Sequence, residues 1–241
     1  MRIEHQPAYI LHERPYRETS VLLEVLTRDH GRVGLVARGV RGAKPRMARG
    51  TLAPLVALEL DWQGRGELGS LVRAEASGPS LPLAGEALMC ALYVNELLAR
   101  LLQRQDPHPE VFERYADLLR ELATPGTPLA WLLRRFERDL LALLGYALEL
   151  AQEADTGTPL QADAPYSYDP ERGPLPWALR PVAPRVAGAA LLALAGDVPP
   201  DAATAREQRR LMRSVLLHHL GGRELAAWRV LAPRARQQDE D

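Results

Sequence analysis

The hydrophobic residues of this 241-residue chain change their spacing once, and that change most constrains the fold. Up to about residue 76 they alternate with polar residues in short stretches, as Leu58, Leu60 and Trp62 do, whereas from about residue 85 they follow a helical period. The first spacing is typical of β-strands and the second of α-helices. Residues 77–82 between them are rich in serine, glycine and proline, which favour a linker. The sequence therefore predicts two domains, residues 1–80 and residues 81–241.

The N-terminal part predicts five short strands separated by turns. They are expected over residues 7–12, 20–27, 32–38, 55–62 and 68–76. Gly31 ends the turn before the third strand, where glycine supplies a positive φ. Five short antiparallel strands with a long basic loop are typical of an OB-fold barrel, which binds single-stranded nucleic acid with its strand face and loops. An SH3-like barrel would produce nearly the same pattern.

The C-terminal part predicts helices interrupted by one irregular insertion. The helices are expected over residues 85–105, 109–123, 128–146, 186–194, 202–220 and 224–231, with Thr127 and Asp201 as N-caps. Prolines and glycines forbid long helices in residues 151–184, which we expect to be extended or short-stranded. The predicted class is α+β, a five-stranded OB-fold β-barrel followed by an all-α domain.

Composition excludes several classes of protein. Thirty basic residues against 31 acidic residues give a formal net charge of −1, so any nucleic-acid surface must be local. No apolar run approaches the roughly 18 residues of a membrane helix, and the acid and proline among residues 1–7 are unlike a signal peptide. We therefore expect a cytoplasmic protein with no membrane partner. The single cysteine, Cys90, excludes an internal disulfide and any zinc site built from cysteine pairs.

One segment is strongly basic. Only Asp29 is acidic among residues 28–49, and seven side chains there are basic: Arg28, Arg32, Arg38, Arg41, Lys44, Arg46 and Arg49. A cluster of one sign on a glycine-containing loop creates a positive potential that attracts phosphates. The alternative is a loop whose charges are only solvated.

A second basic cluster has helical spacing. Arg206, Arg209, Arg210 and Arg213 follow the i, i+3, i+4, i+7 pattern and line one face of a helix. This face fits nucleic acid, an acidic peptide or an ordinary solvent-facing stripe, and position on a helix does not separate these readings.

Catalytic signatures are missing from the sequence. The segment from Gly39 to Lys44 lacks the spacing and the final hydroxyl of a phosphate-binding P-loop, and no histidines have zinc-ligand spacing. Asp155 and Asp163 could serve a metal-dependent nuclease, although loop solvation is the default for such residues. We expect a protein that is not an enzyme and has no cofactor and no metal.

Several motifs resemble the RecO family of bacterial recombination mediators. They are the run of residues 11–20 (LHERPYRETS), Ala37-Arg38-Gly39-Val40-Arg41, Leu92-Tyr93-Val94-Asn95-Glu96-Leu97-Leu98, Arg134-Arg135-Phe136-Glu137 and Leu143-Leu144-Gly145-Tyr146. They occur in the family's order over roughly the first 150 residues. Many members carry a four-cysteine zinc module in the helical domain, but residues 151–184 contain no cysteine. Zinc is therefore not expected here.

The resemblance implies a role in the RecF pathway of DNA repair. Such proteins bind single- and double-stranded DNA, anneal complementary strands, contact the C-terminal tail of single-strand binding protein, and with RecR help load RecA, which is an indirect partner. We therefore expect a protein associated with the nucleoid. The expected DNA-binding residues are Arg14, Tyr16, Arg17, Arg32, Arg38, Arg41, Lys44, Arg46 and Arg49, with Tyr16 as the stacking candidate.

The tail of single-strand binding protein is acidic and ends in an apolar residue with a carboxylate, so its receptor requires arginine beside an apolar pocket. Arg134 and Arg135 with Leu140 and Leu141 fit that description, and this part of the chain resembles the family's binding site. The alternative for Arg134 is a structural role at the domain boundary, paired with a carboxylate.

Two other functions compete with the mediator. An OB-fold RNA-binding factor in translation or RNA processing would prefer RNA through its 2′-hydroxyls. A nuclease would cleave strands when a divalent metal is added.

Overall fold

The computed structural model describes residues 2–41, 49–64, 68–180 and 184–230. The N-terminal strands are β1 (Arg2–Tyr16), β2 (Ser20–Thr27), β3 (Gly31–Ala37), β4 (Ala57–Gln63) and β5 (Leu68–Ala76). They close into a barrel in the order β1-β2-β3-β5-β4, with β3 and β5 parallel and the other pairs antiparallel. This is the five-stranded OB-fold barrel that the sequence predicted.

The first strand is longer than predicted, because the sequence pattern marks only its buried centre. Residues 8–11 are buried, whereas both ends of β1 are mostly exposed. The N-terminal half of β1 pairs with β4 and the C-terminal half with β2, so one bent strand belongs to both sides of the barrel. The barrel interior is aliphatic and is filled by residues such as Ile10, Leu23, Val25, Leu35 and Leu60.

The helices are α1 (Gly85–Leu101), α2 (Pro109–Leu122), α3 (Leu129–Leu143), α4 (Gly188–Ala195), α5 (Ala202–His219) and α6 (Ala227–Val230). Asp201 caps α5 as predicted, since its carboxylate accepts a hydrogen bond from the Thr204 amide at 2.8 Å. The prediction for Thr127 was wrong. Its hydroxyl donates to the Glu121 and Thr124 carbonyls instead, and Pro128 stands at the N-cap of α3 without a side-chain cap.

The proline-rich insertion contains a small sheet that adds strands to the helical domain. Strands β6 (Pro165–Asp169), β7 (Gly173–Pro176) and β8 (Arg185–Ala187) pair antiparallel in the order β7-β6-β8. Tyr166 and Val186 from this sheet are buried in the helical core. The insertion is thus short-stranded, one of the two forms that the sequence allowed.

The barrel and the helices share one packed interface. Tyr9 points from the barrel into the helical core, where its ring lies 5.4 Å from Phe112 and 5.1 Å from Tyr115. The buried Asn95 amide donates to the Leu11 carbonyl at 3.1 Å. Because these contacts are buried on both sides, the barrel surface has a defined orientation relative to the helices.

Candidate nucleic-acid interface and arginine pocket

The turn between β1 and β2 anchors the start of the basic loop. Tyr16 and Ser20 are the last pair of the hairpin, and Arg17 in the turn has a positive φ of 54°. The Thr19 carbonyl accepts hydrogen bonds from the amides of Val40 at 2.9 Å and Arg41 at 3.0 Å. The chain that leaves β3 therefore lies against the β1–β2 turn, and two segments about 20 residues apart meet at one end of the barrel.

Four exposed arginines gather at this end, which we call the basic end: Arg14, Arg17, Arg38 and Arg41. Arg14 and Arg41 line one groove of about 90 Å³ together with the acidic Glu13. Among the residues that the structure describes, no carboxylate lies within ion-pair distance of any of the four. Unpaired arginines on a convex surface create a positive potential suited to phosphates.

Tyr16 belongs to the same end. It is half-buried at the end of β1, and the Arg17 guanidinium lies 5.2 Å from its ring centroid. A ring with one accessible side next to a cation can stack on a base while the cation reaches the neighbouring phosphate.

Arg32 does not join the basic end. Its side chain donates to the Leu102 carbonyl at 3.0 Å and to Glu24 at 2.9 Å, and only 17% of it is exposed. Arg104 pairs with the same Glu24 carboxylate. The placement of Arg32 in the DNA site was therefore wrong. Arg32 links the barrel to the end of α1 because its partner lies 70 residues away in the sequence.

The remaining predicted loop residues have no described side chains. Lys44 and Arg46 lie outside the described residues, and only the backbone of Arg49 is described, at the start of a short 3-10 helix Arg49–Leu52. Their assignment to DNA stays a prediction.

A second site is a cavity of about 100 Å³ in the helical domain, which we call the arginine pocket. It is formed where α1, α3, α5 and α6 meet and combines an apolar wall with three cations. Its lining residues are Glu86, Cys90, Tyr93, Ala130, Leu133, Arg134, Glu137, Arg209, Arg213 and Trp228.

A buried ion pair forms the floor of the arginine pocket. The fully buried Glu137 carboxylate accepts hydrogen bonds from Tyr93 at 2.6 Å and from Arg134 Nε at 2.7 Å, and a second Arg134 nitrogen contacts it as well. Burial lowers the pKa of Arg134, but the Glu137 carboxylate outweighs burial and raises that pKa. Arg134 is thus committed to a carboxylate of its own helix. The structural alternative for Arg134 agrees with this geometry.

The rim of the pocket comes from the basic face of α5. Burial and the charges of Arg134 and Arg213 lower the pKa of Arg209, which indicates a positive potential inside the pocket. The Arg213 guanidinium lies 4.9 Å from the Trp228 ring centroid and pairs with Glu224 at 2.8 Å. An anion entering the pocket would meet these cations beside an aromatic wall.

Arg206 and Arg210 continue the same face outside the pocket. Both are exposed, and no described carboxylate lies within ion-pair distance of either. Arg210 and Arg213 also line an open groove with Arg185 of β8. The face predicted from helical spacing therefore exists, with half of it turned toward the pocket.

The other residues predicted for a peptide lie elsewhere. Leu140 and Leu141 are buried in the core, with 1% and 0% of their surface exposed, so they do not form an accessible pocket. Arg135 points away from Arg134 toward Glu121, at 3.0 Å, and Asp197. The structure thus brings Arg134, Arg209 and Arg213 together and separates Arg135 from them.

Sequence reasoning missed two walls of the pocket. Trp228 lies on the short helix α6 after a glycine pair, where no periodic signal marks it. Tyr93 and Glu137 stand within the family-like motifs, and the i, i+3 spacing of Arg134 and Glu137 was a signal for the ion pair.

Comparison with known proteins gives full-length matches. A family model described as "Recombination protein O N terminal" matches residues 1–79, and one described as "Recombination protein O C terminal" matches residues 83–229. A protein named DNA repair protein RecO from Xanthomonas euvesicatoria pv. vesicatoria is 47% identical, covering 99% of this chain and 100% of the relative. Proteins of the same name from Stenotrophomonas maltophilia and Azoarcus sp. are 46% and 44% identical, covering 97% and 95% of this chain and 100% and 96% of the relatives.

This chain belongs to the RecO family. It is a DNA repair and recombination protein with the barrel-plus-helices architecture described above. In this member of the RecO family the insertion is organised by β6, β7 and β8, and in the described residues no group of histidine, cysteine and acidic side chains could hold a metal ion. Burial raises the pKa of the Cys90 thiol to about 11, so it stays protonated and packs as an apolar group.

None of the helices that the structure describes is long and apolar enough to span a bilayer.

Proposed function

We propose that this protein is a recombination mediator of the RecF pathway whose basic end binds single- and double-stranded DNA. It anneals complementary single strands and, with RecR, helps load RecA onto single strands coated with single-strand binding protein. The observation that carries the proposal is the convergence of Arg14, Arg17, Arg38 and Arg41, without carboxylate partners, on one end of an OB-fold barrel. This work places the protein on DNA in the nucleoid.

Annealing needs no covalent chemistry, and we propose that the protein is not an enzyme. Two DNA strands repel each other through their phosphates, and arginines that neutralise both backbones release condensed counterions and allow base pairing. The basic end offers cations for the phosphates and Tyr16 for one base.

Salt dependence of DNA binding tests the basic end. Alanine at Arg14, Arg17, Arg38 and Arg41 should weaken binding to a labelled single-stranded oligonucleotide and flatten the plot of log K against log salt. Each lost phosphate contact should reduce the slope by about 0.7 on single strands, so the four together reduce it by roughly 3.

The control removes the same charge from elsewhere. Arg2, Arg28, Arg120 and Arg172 are exposed but already paired with carboxylates, so their replacement by alanine should change the slope much less. Equal slopes for the two quadruple variants would refute the assignment. Tighter binding to RNA than to DNA of the same sequence would instead favour the RNA-binding alternative.

We further propose that the arginine pocket receives the acidic tail of single-strand binding protein. Leu133 and Trp228 supply the apolar wall for a terminal hydrophobic side chain, and Arg209 and Arg213 supply cations for its carboxylate. The pocket replaces the surface of Leu140 and Leu141, which are buried.

Anisotropy of a fluorescein-labelled peptide of consecutive aspartates ending in phenylalanine, with a free carboxylate, tests this docking. Arg209→Ala should weaken peptide binding at least tenfold because a charge-assisted contact contributes about 1.5–3 kcal/mol. The control Arg100→Ala, on an exposed position of α1, should leave it unchanged. Unchanged binding by Arg209→Ala would place the tail elsewhere.

A further inference from the structure

The segment that follows α6 carries charge opposite to that of the face beside it. Residues 231–241 read LAPRARQQDED and end in three consecutive acids, Asp239, Glu240 and Asp241. This segment lies outside the described residues. The described chain leads into it from Val230, two residues after Trp228, which forms a wall of the arginine pocket.

The basic face of α5 has cations available for such a segment. Arg206 and Arg210 are exposed, with no described carboxylate at ion-pair distance. Arg213 touches the Trp228 ring, so α6 and the basic face adjoin directly. Its single described carboxylate partner is Glu224, which comes from the loop just before α6.

Chain length permits the contact. Ten residues separate Val230 from Glu240 and span up to about 36 Å when extended. The stripe from Arg206 to Arg213 covers seven residues of helix, or about 10 Å. The acids can therefore reach every arginine of the stripe, and the covalent link keeps their local concentration at about 1 mM.

We propose that Asp239, Glu240 and Asp241 dock on the basic face of α5 and cover the mouth of the arginine pocket. The segment then acts as an internal competitor for acidic peptides, and this consequence rests on the peptide docking proposed above. An internal ligand with an intrinsic Kd of about 0.3 mM, at an effective concentration of about 1 mM, weakens an external competitor about fourfold.

A zero-length cross-link tests the docking without any peptide. In the full chain carrying Arg210→Lys, a carbodiimide activates a carboxyl group, and the new amine displaces the leaving urea to form an amide. We expect a cross-link within one molecule between position 210 and the tryptic peptide that follows Arg236, lost at high salt. The control Arg38→Lys places the amine on the barrel, whereas α5 packs on α3, α4 and β8, and it should not link to that peptide.

Two results of the cross-link would overturn the proposal. One is absence of the link in Arg210→Lys, or equal linking in Arg38→Lys. The other is a link found only between two molecules and growing with protein concentration, which would make a second copy the occupant.

Peptide binding then tests the competition. The triple variant Asp239→Asn, Glu240→Gln, Asp241→Asn should bind the labelled aspartate peptide about fourfold more tightly at low salt, with the difference vanishing at high salt. Equal affinities would refute the competition. Failure of both proteins to bind the peptide would refute the peptide docking itself, while the cross-link still decides whether the acidic segment docks.

Discussion

Replacing Arg134 by methionine should destabilise the protein far more than its position beside a cavity implies. Methionine retains much of the side-chain volume but removes the guanidinium that pairs with Glu137. The Glu137 carboxylate has no exposed surface and would keep only the Tyr93 hydroxyl at 2.6 Å as a donor. Breaking a buried ion pair from one side costs about 3–5 kcal/mol, because the remaining charge is left without compensation.

Urea unfolding followed by tryptophan fluorescence measures this cost. The double variant Arg134→Met, Glu137→Met should recover most of the loss, since replacing both members of a buried pair by apolar groups is often close to neutral. The matched control is Arg135→Met, whose side chain is 29% exposed and pairs with Glu121 at 3.0 Å. An exposed pair of this kind contributes about 0–1 kcal/mol.

The result that would refute this reasoning is a loss below about 1 kcal/mol for Arg134→Met, equal to that of Arg135→Met. Arg134 would then be available to a ligand, and the floor of the arginine pocket would have to be reassigned. A large loss in the single variant, recovered in the double variant, makes Arg134 a structural residue. Its effect on peptide binding would then be indirect.

Two further changes test the fold. Gly31→Ala should cost at least about 2 kcal/mol in urea unfolding, because Gly31 has a φ of 64° and a new Cβ would lie 2.2 Å from the Asp106 carbonyl oxygen. Gly50→Ala, where no atom lies within 4 Å of the new Cβ, should stay within about 0.5 kcal/mol of the parent, and equal losses would contradict the predicted contact. At the exposed end of β1, the hydrogen bond and charge of Glu59 raise the pKa of His5 above its usual 6.5. The pairing therefore stabilises the fold fully below the unfolded pKa and is lost as the pH rises through the folded pKa. An NMR titration should find the His5 pKa lowered by Glu59→Gln, and an unchanged pKa would remove Glu59 as the cause.

The sequence predicted those features that depend on local pattern. The alternation in Leu58, Leu60 and Trp62 placed β4, and Asp201 before a helical run placed the N-cap of α5. The i, i+3, i+4, i+7 spacing placed the arginines of α5 on one face. Each signal is contained within a few residues of chain, so no tertiary contact could reverse it.

Features that depend on distant contacts could not be predicted in the same way. Arg32 carries the same charge as Arg38, but its hydrogen-bond acceptor is the Leu102 carbonyl in the other domain. Leu140 and Leu141 have the composition of an apolar binding surface, yet other helices cover them. Charge and hydropathy identify candidate residues, whereas the packing of the helices decides which candidates remain accessible.

The most direct test of the proposed function is annealing of two complementary oligonucleotides coated with the cognate single-strand binding protein, without nucleotide or added metal. The proposal predicts that this protein accelerates annealing, that alanine at Arg14, Arg17, Arg38 and Arg41 abolishes most of the acceleration, and that deletion of the acidic tail of the binding protein does so as well. If the protein binds naked strands but does not accelerate annealing of coated ones, it is a nucleic-acid-binding protein without mediator activity, and the proposal is contradicted.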